Sequence, residues 1–152
     1  ALINRKIKAA LANELTPIFC VGEELAIRES GTHVSHVIRQ IRAGLEGFTK
    51  PELKKIVIAY EPVWAIGTGK VATDEQAQEA HAFIRGLLAE FYDAQTAAAT
   101  RILYGGSVNP QNCCDLAAMS DIDGLFIGRS AWDPAGYIGI IDAVTKRLGD
   151  KP

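Results

Sequence analysis

One carboxylate stands out by its setting. Glu61 ends an apolar run, Ile56 to Tyr60, and is followed at once by Pro62. A charge at the end of such a run is costly to desolvate unless it is paired or put to use. The use open to a carboxylate there is that of a general base, removing a proton from carbon in a site kept dry. A salt-bridged glutamate at a strand end is the alternative. Three other stretches share a different signature, glycine beside small residues: Gly22-Glu23, Gly105-Gly106-Ser107 and Gly128-Arg129-Ser130. Glycine lets a backbone approach a ligand closely, and exposed N–H groups on several such loops make an anion cradle. Read blandly, they are tight strand-to-helix turns.

Other chemistries find less support. Ile66-Gly67-Thr68-Gly69-Lys70 lacks the upstream glycine of a P-loop, and Val71 stands where Ser or Thr is needed. A dinucleotide fingerprint would require glycine at position 72, which is Ala72. His33 and His36 have helical metal-ligand spacing but no third ligand nearby, so no metal is expected. His81 reads as a residue of a helix surface. Cys20 reads as a small apolar residue in a strand. Cys113 and Cys114 are adjacent on a helix, where neighbouring side chains diverge, so a disulfide between them is not expected. Trp132 is open to three roles: core, lid contact or interface.

The elements that must position these residues alternate in type. Residues 2–14 carry helical periodicity. Residues 16–21 form a short apolar run that reads as a strand buried on both faces, as parallel strands are. Residues 24–48 carry a helical pattern interrupted near Gly31 and closed by Gly44 and Gly47. A second strand spans 55–60, a long glycine-containing loop 62–73, and a helix 74–92, with Thr73 and Gln76 spaced as a capping box. Strand 101–104 follows. Asn109-Pro110 then marks a helix start, with strand 122–127 next and Asp133-Pro134 opening a last helix that Gly149 stops. One helix followed by four strand–helix units implies an α/β fold with a parallel sheet and right-handed crossovers. Either a small doubly wound sheet or half of an eight-stranded barrel fits this order; both place function at the carboxyl ends of strands.

Composition narrows the partners. The chain has 152 residues, 48% apolar and 22% charged, which excludes a disordered or low-complexity segment. A net charge of −2 without a basic stripe argues against nucleic-acid binding. No apolar window is long enough to span a membrane. The first residues carry charge where an export signal needs an apolar run. Three cysteines without paired spacing read as free thiols, and the expected location is cytoplasmic.

The string Ala59-Tyr60-Glu61-Pro62-Val63-Trp64-Ala65-Ile66-Gly67-Thr68-Gly69-Lys70 resembles the triosephosphate isomerase family. Pro17-Ile18 with Cys20-Val21-Gly22-Glu23 upstream agrees with it. So do Tyr104-Gly105-Gly106-Ser107-Val108 and Asp121-Ile122-Asp123-Gly124 downstream, in order and at suitable spacing. The resemblance implies a (β/α)8 barrel. Residues 1–152 would be the C-terminal part of a single barrel domain, one helix followed by the last four strand–helix units. It implies interconversion of dihydroxyacetone phosphate and glyceraldehyde 3-phosphate without metal or organic cofactor. Glu61 would be the catalytic base. Gly67, Ser107, Gly128 and Arg129 would bind the substrate phosphate. Residues 62–72 would form a lid, with Pro62, Val63 and Trp64 as one hinge, Lys70, Val71 and Ala72 as the other, and Ala65, Ile66, Gly67, Thr68 and Gly69 as its tip. Tyr104 would latch the closed lid near Ala72. Glu23 would meet Trp64 in the open state, and Arg85 with Asp121 would be a structural ion pair. The family is homodimeric.

Three departures qualify the likeness. The second hinge reads Lys-Val-Ala in place of Lys-Thr-Ala. Arg129 replaces a glycine of the eighth-strand loop, and a positive φ there would strain it. This variant resembles a divergent bacterial branch, some of whose members isomerise four-carbon ketose phosphates. Finally, the family's first half, with a lysine, a histidine and a glutamate of the site, is not in this sequence. The fragment alone is expected to be inactive, and a non-catalytic half-barrel is a further reading.

Overall fold

The computed structural model describes residues 2–66, 68 and 70–149. Its elements are α1 (Leu2–Ala12), β1 (Ile18–Val21), α2 (Leu25–Glu29), α3 (His33–Leu45), α4 (Lys50–Leu53), β2 (Val57–Tyr60), α5 (Asp74–Phe91), α6 (Ala94–Ala99), β3 (Ile102–Tyr104), α7 (Cys113–Ala118), β4 (Gly124–Leu125) and α8 (Pro134–Leu148). Short 3-10 turns occupy Val63–Ala65 and Arg129–Ala131. The strands form one parallel sheet in the order β1-β2-β3-β4. Chain order and sheet order coincide, as in a segment of a barrel wall.

Local chemistry sets the boundaries. Thr73 accepts a hydrogen bond from the Gln76 N–H, and the Gln76 side chain accepts from the Thr73 N–H; this is the foreseen capping box. Asp133 caps α8 by accepting from the Gly136 N–H at 2.8 Å, with Pro134 in the first turn. The pattern over 24–48 divides at Gly31, whose φ of 70° suits glycine and ends the first helical stretch. Gly44, expected as a stop, lies inside α3. A Cβ there would run into the Phe19 ring, so its glycine serves helix–sheet contact. Asn109-Pro110 begins a turn rather than the helix itself. The Asn109 side chain accepts from the N–H groups of Gln111 and Asn112, and α7 starts at Cys113. The fourth strand shrinks to two residues, although the Phe126 N–H still donates to the Tyr104 carbonyl at 2.8 Å.

The expectation that β1 is buried on both faces is not met. Phe19 and Val21 are buried, whereas Ile18 and Cys20 are exposed. Helices cover one face only. There Ile58, Ile102, Ile84, Leu88, Ile41 and Leu116 build the core, each at most 1% exposed. The other face, the inner side of a barrel wall, has no covering layer among the described residues. Cys20 belongs to that open face and does not pack as a core residue. His81 departs in the opposite sense. Instead of lying on a helix surface it is fully buried, with its ring edge-on to Tyr60 and tilted against Tyr104.

Candidate functional site

The pleat explains how the carboxyl ends of the strands are furnished. Strand register aligns Cys20, Ala59, Leu103 and Gly124 across the open face. Two residues further on, the same face carries Gly22, Glu61, Gly105 and Phe126. Backbone pairing persists to this level. The Glu61 N–H donates to the Val21 carbonyl at 2.7 Å, and the Gly105 N–H to the Tyr60 carbonyl at 2.8 Å. Glu61 is thus fixed by the sheet itself. Glycine flanks it because nothing larger fits. A Cβ at Gly22 would collide with the Glu61 carbonyl, and one at Gly105 would lie 2.6 Å from Glu61 Cγ.

The alternate row, Val21, Tyr60 and Tyr104, points toward the helices and is buried. His81 of α5 sits against its two tyrosines, with Nδ1 bonded to the Ala77 carbonyl at 2.7 Å. Burial holds its pKa below the usual 6.5, so it is neutral at pH 7. The Tyr104 hydroxyl is buried without a partner among the described residues, and burial, helped by Asp74, pushes it up to about 12.

A cavity of about 260 Å³ opens above Glu61. Its wall combines Glu61, the loop residues Ala65 and Ile66, the glycine turn at 105–108 and the turn from Phe126 to Ser130, with Trp132 at the edge. The structure therefore brings together Glu61, Ser107, Gly128 and Arg129, along with Ala65 and Ile66. Gly67 and Gly69 lie outside the described residues. Pro62, Val63, Trp64, Thr68, Lys70, Ala72 and Tyr104 do not line this cavity. Glu61 and Arg129 are the charged side chains among its described lining residues. A larger hollow of about 800 Å³ lies between α3 and α5, far from the strand ends and without a glycine turn of the kind described.

The two turns are differently held. Asn112 Nδ2 donates to the Ser107 carbonyl and Ser130 Oγ to the Val108 carbonyl, each at 2.8 Å, tying the turns together. Arg129 opens a 3-10 turn. Glu14 is the one non-glycine residue with positive φ among those described, so Arg129 carries no such strain.

Glu23, one strand over, is buried and saturated. It accepts from Tyr60 Oη at 3.0 and 3.1 Å, from Trp64 Nε1 at 3.0 Å and from Arg28 Nη1 at 3.1 Å. The Arg28 guanidinium also lies 5.0 Å from the Trp64 ring centre. This is the Glu23–Trp64 meeting the resemblance implies for an open lid. Further along the loop, Thr68 Oγ1 donates to the Trp64 carbonyl at 2.7 Å. Arg85 joins Asp121 at 2.8 Å, as foreseen. It also holds Asp123 at 2.8 Å and the carbonyls of Ala97, Thr100 and Asp121.

Sequence reasoning missed two residues of the site's frame. Gln40 clasps Gly22 from both sides, accepting from its N–H and donating to its carbonyl, and touches His36. Cys20 lies against Glu61; partial burial and that carboxylate push its thiol up to about 12. Register alone, Cys20 two residues below the Gly22–Glu61 level, was the available signal. His33 and His36 meet no third ligand: the described residues contain no cluster of three or more metal-ligating side chains.

No helix among the described residues is long and apolar enough to cross a membrane. Residues 1–144 match the triosephosphate isomerase family. Curated relatives named triosephosphate isomerase include those of Citrifermentans bemidjiense (50% identical over 91% of this chain), Moorella thermoacetica (51% over 93%) and Streptomyces coelicolor (48% over 92%). The chain spans 55%, 57% and 54% of their respective lengths. A family match over nearly the whole chain, joined to a four-stranded parallel sheet whose strands follow chain order as in a barrel wall, means that this chain belongs to the triosephosphate isomerase family.

Proposed function

We propose that the protein of which this chain is the C-terminal part is an aldose–ketose isomerase acting on dihydroxyacetone phosphate and glyceraldehyde 3-phosphate. The observation that carries this reading is the shared cavity: Glu61 opens onto the same 260 Å³ space as the turns at Ser107 and Gly128. A phosphate held by backbone N–H groups of those turns leaves the sugar carbons over the carboxylate. Glu61 takes a proton from the carbon beside the carbonyl, giving an enediolate, and returns it to the neighbouring carbon. The enediolate charge needs stabilisation and its phosphate is prone to elimination. Excluding water and gripping the phosphate address both.

The loop at 62–72 would be the part that excludes water. Trp64 is tied to Glu23, and the Tyr104 hydroxyl, without a partner among the described residues, would receive a lid backbone group on closure. Gly67 would donate its N–H to the phosphate. The groups that polarise the carbonyl would come from the family's N-terminal half. No metal, organic cofactor or nucleic acid enters the scheme. The parent is read as a cytoplasmic homodimer by family likeness, and the 152-residue chain alone as inactive.

Replacing Glu61 by Gln in the parent should cut turnover by about 10²- to 10⁴-fold, the usual worth of a positioned general base. Unchanged turnover would refute the assignment. A second reading, a four-carbon ketose phosphate as substrate, is favoured by Arg129 and Trp132 at the cavity mouth, since Trp132 is 79% exposed and open to a longer ligand. Comparing specificity constants for the three- and four-carbon substrates decides between them.

A further inference from the structure

Cys113 and Cys114 begin α7, and neither belongs to the cavity wall. Their side chains do not diverge as adjacency on a helix suggests, because the two Sγ atoms lie 4.0 Å apart. Cys113 is fully buried with its thiol directed at the Pro110 carbonyl, 3.6 Å away, whereas Cys114 is half-buried. A disulfide would need the sulfurs at about 2.05 Å, which the helical backbone between adjacent residues opposes. One thiophilic atom between them fits better. A pyramidal centre holds its two sulfurs closer than the 4.0 Å found here, and a small side-chain rotation of the half-buried Cys114 brings both within its reach.

The donor set then selects the acceptor. Two thiols are present, and no cluster of three or more His, Cys, Asp or Glu side chains exists among the described residues. A zinc ion, which takes four ligands, is left half bound. A monosubstituted trivalent arsenical is complete with two sulfurs and its own carbon. We propose that Cys113 and Cys114 form a dithiol site that captures monosubstituted trivalent arsenic. The half-buried Cys114 thiol reacts first and Cys113 closes the chelate. Two S–H and two As–OH bonds break, two As–S bonds form and two waters leave, with arsenic trivalent throughout. Burial and the neighbouring thiol raise the Cys113 pKa, so the Cys113 thiol rests protonated until an acceptor arrives. The adduct would sit beside Asn112, whose side chain holds the Ser107 carbonyl.

The test treats the native 152-residue chain with phenylarsine oxide, washes with excess glutathione and measures intact mass. One retained phenylarsenic per chain is expected, found after trypsin on the peptide 102–129 and removed by dithiothreitol. The second As–S bond is intramolecular, so the chelate outlasts millimolar monothiol. Cys114→Ser should abolish retention, as should Cys113→Ser, while Cys20→Ser keeps it. Cys114 is half-buried, so its variant decides the matter even if Cys113→Ser fails to fold. No retained adduct in the unaltered chain, or full retention in Cys114→Ser, overturns the proposal. These outcomes are independent of isomerase turnover.

Discussion

Two glutamates stand at the ends of neighbouring strands and have opposite surroundings. Glu23, past β1, is 1% exposed and its carboxylate is occupied by a tyrosine, a tryptophan and an arginine. Glu61, past β2, has its backbone in the sheet, glycine on either side and, apart from the Cys20 thiol, no donor from a described residue on its carboxylate. A saturated buried carboxylate is held in one place and stabilises what it touches. A carboxylate with free lone pairs over a cavity is kept for a transient partner. The same side chain is thus structural or chemical according to which donors the neighbouring strands supply.

The contrast can be broken experimentally. The greatest effect is expected at Glu61. In the parent, Glu61→Gln should lose about 10²- to 10⁴-fold in turnover, with stability within about 0.5 kcal/mol in urea melts. A stability loss comparable to that at Glu23 would mean that both glutamates are structural. Gly105→Ala places a Cβ 2.6 Å from Glu61 Cγ and must displace the carboxylate. A shift near 1 Å costs about a hundredfold in turnover. Normal kinetics in that variant would show that Glu61 does not work from this position.

Glu23→Ala reverses the pattern. It strands Tyr60, Trp64 and Arg28 and should lower stability by about 3 kcal/mol, read as the urea midpoint. A midpoint unchanged from the parent's would remove the distinction. A subtler expectation concerns His81, whose folded pKa lies below 6.5 because of burial. The unfolded chain then binds more protons than the folded one below that value, so stability falls as pH drops through about 6.5 and is retained above it. His81→Gln should flatten this slope in melts compared at about pH 7.5 and pH 5.5. Tyr104→Phe is the smallest change. Losing a buried hydroxyl without a partner among the described residues should raise stability by about 1 kcal/mol while slowing turnover, and a destabilised variant would show that the hydroxyl is bonded after all.

What the chain discloses by itself depends on whether a signal is local. The caps at Thr73 and Asp133, the alternation of strands and helices, Glu61 and the glycine turns are all written in short windows, and each has its counterpart in the structure. Tertiary contact decided the rest. Gly44 resembles a helix stop until the Phe19 ring is set against it. His81 carries a polar signature, yet two tyrosines from different strands enclose it. Cys20 reads as core because no sequence window reveals which face of a sheet is covered. The short helices α4 and α6 went unforeseen. The second is fixed by Asp93, which accepts from the Thr96 N–H and pairs with Lys50, 43 residues earlier in the chain.

The identity of sheet order and chain order has a consequence for how the molecule is made. Each of the four described strands lies beside the one synthesised just before it, so no pairing among them must wait for a distant segment to arrive. Nascent chain leaving a ribosome can lay down β2 on β1, then β3 on β2, closing only the span of one intervening helix region at each addition. Assembly can therefore keep pace with translation, growing from the amino-terminal side as a wall is built course by course.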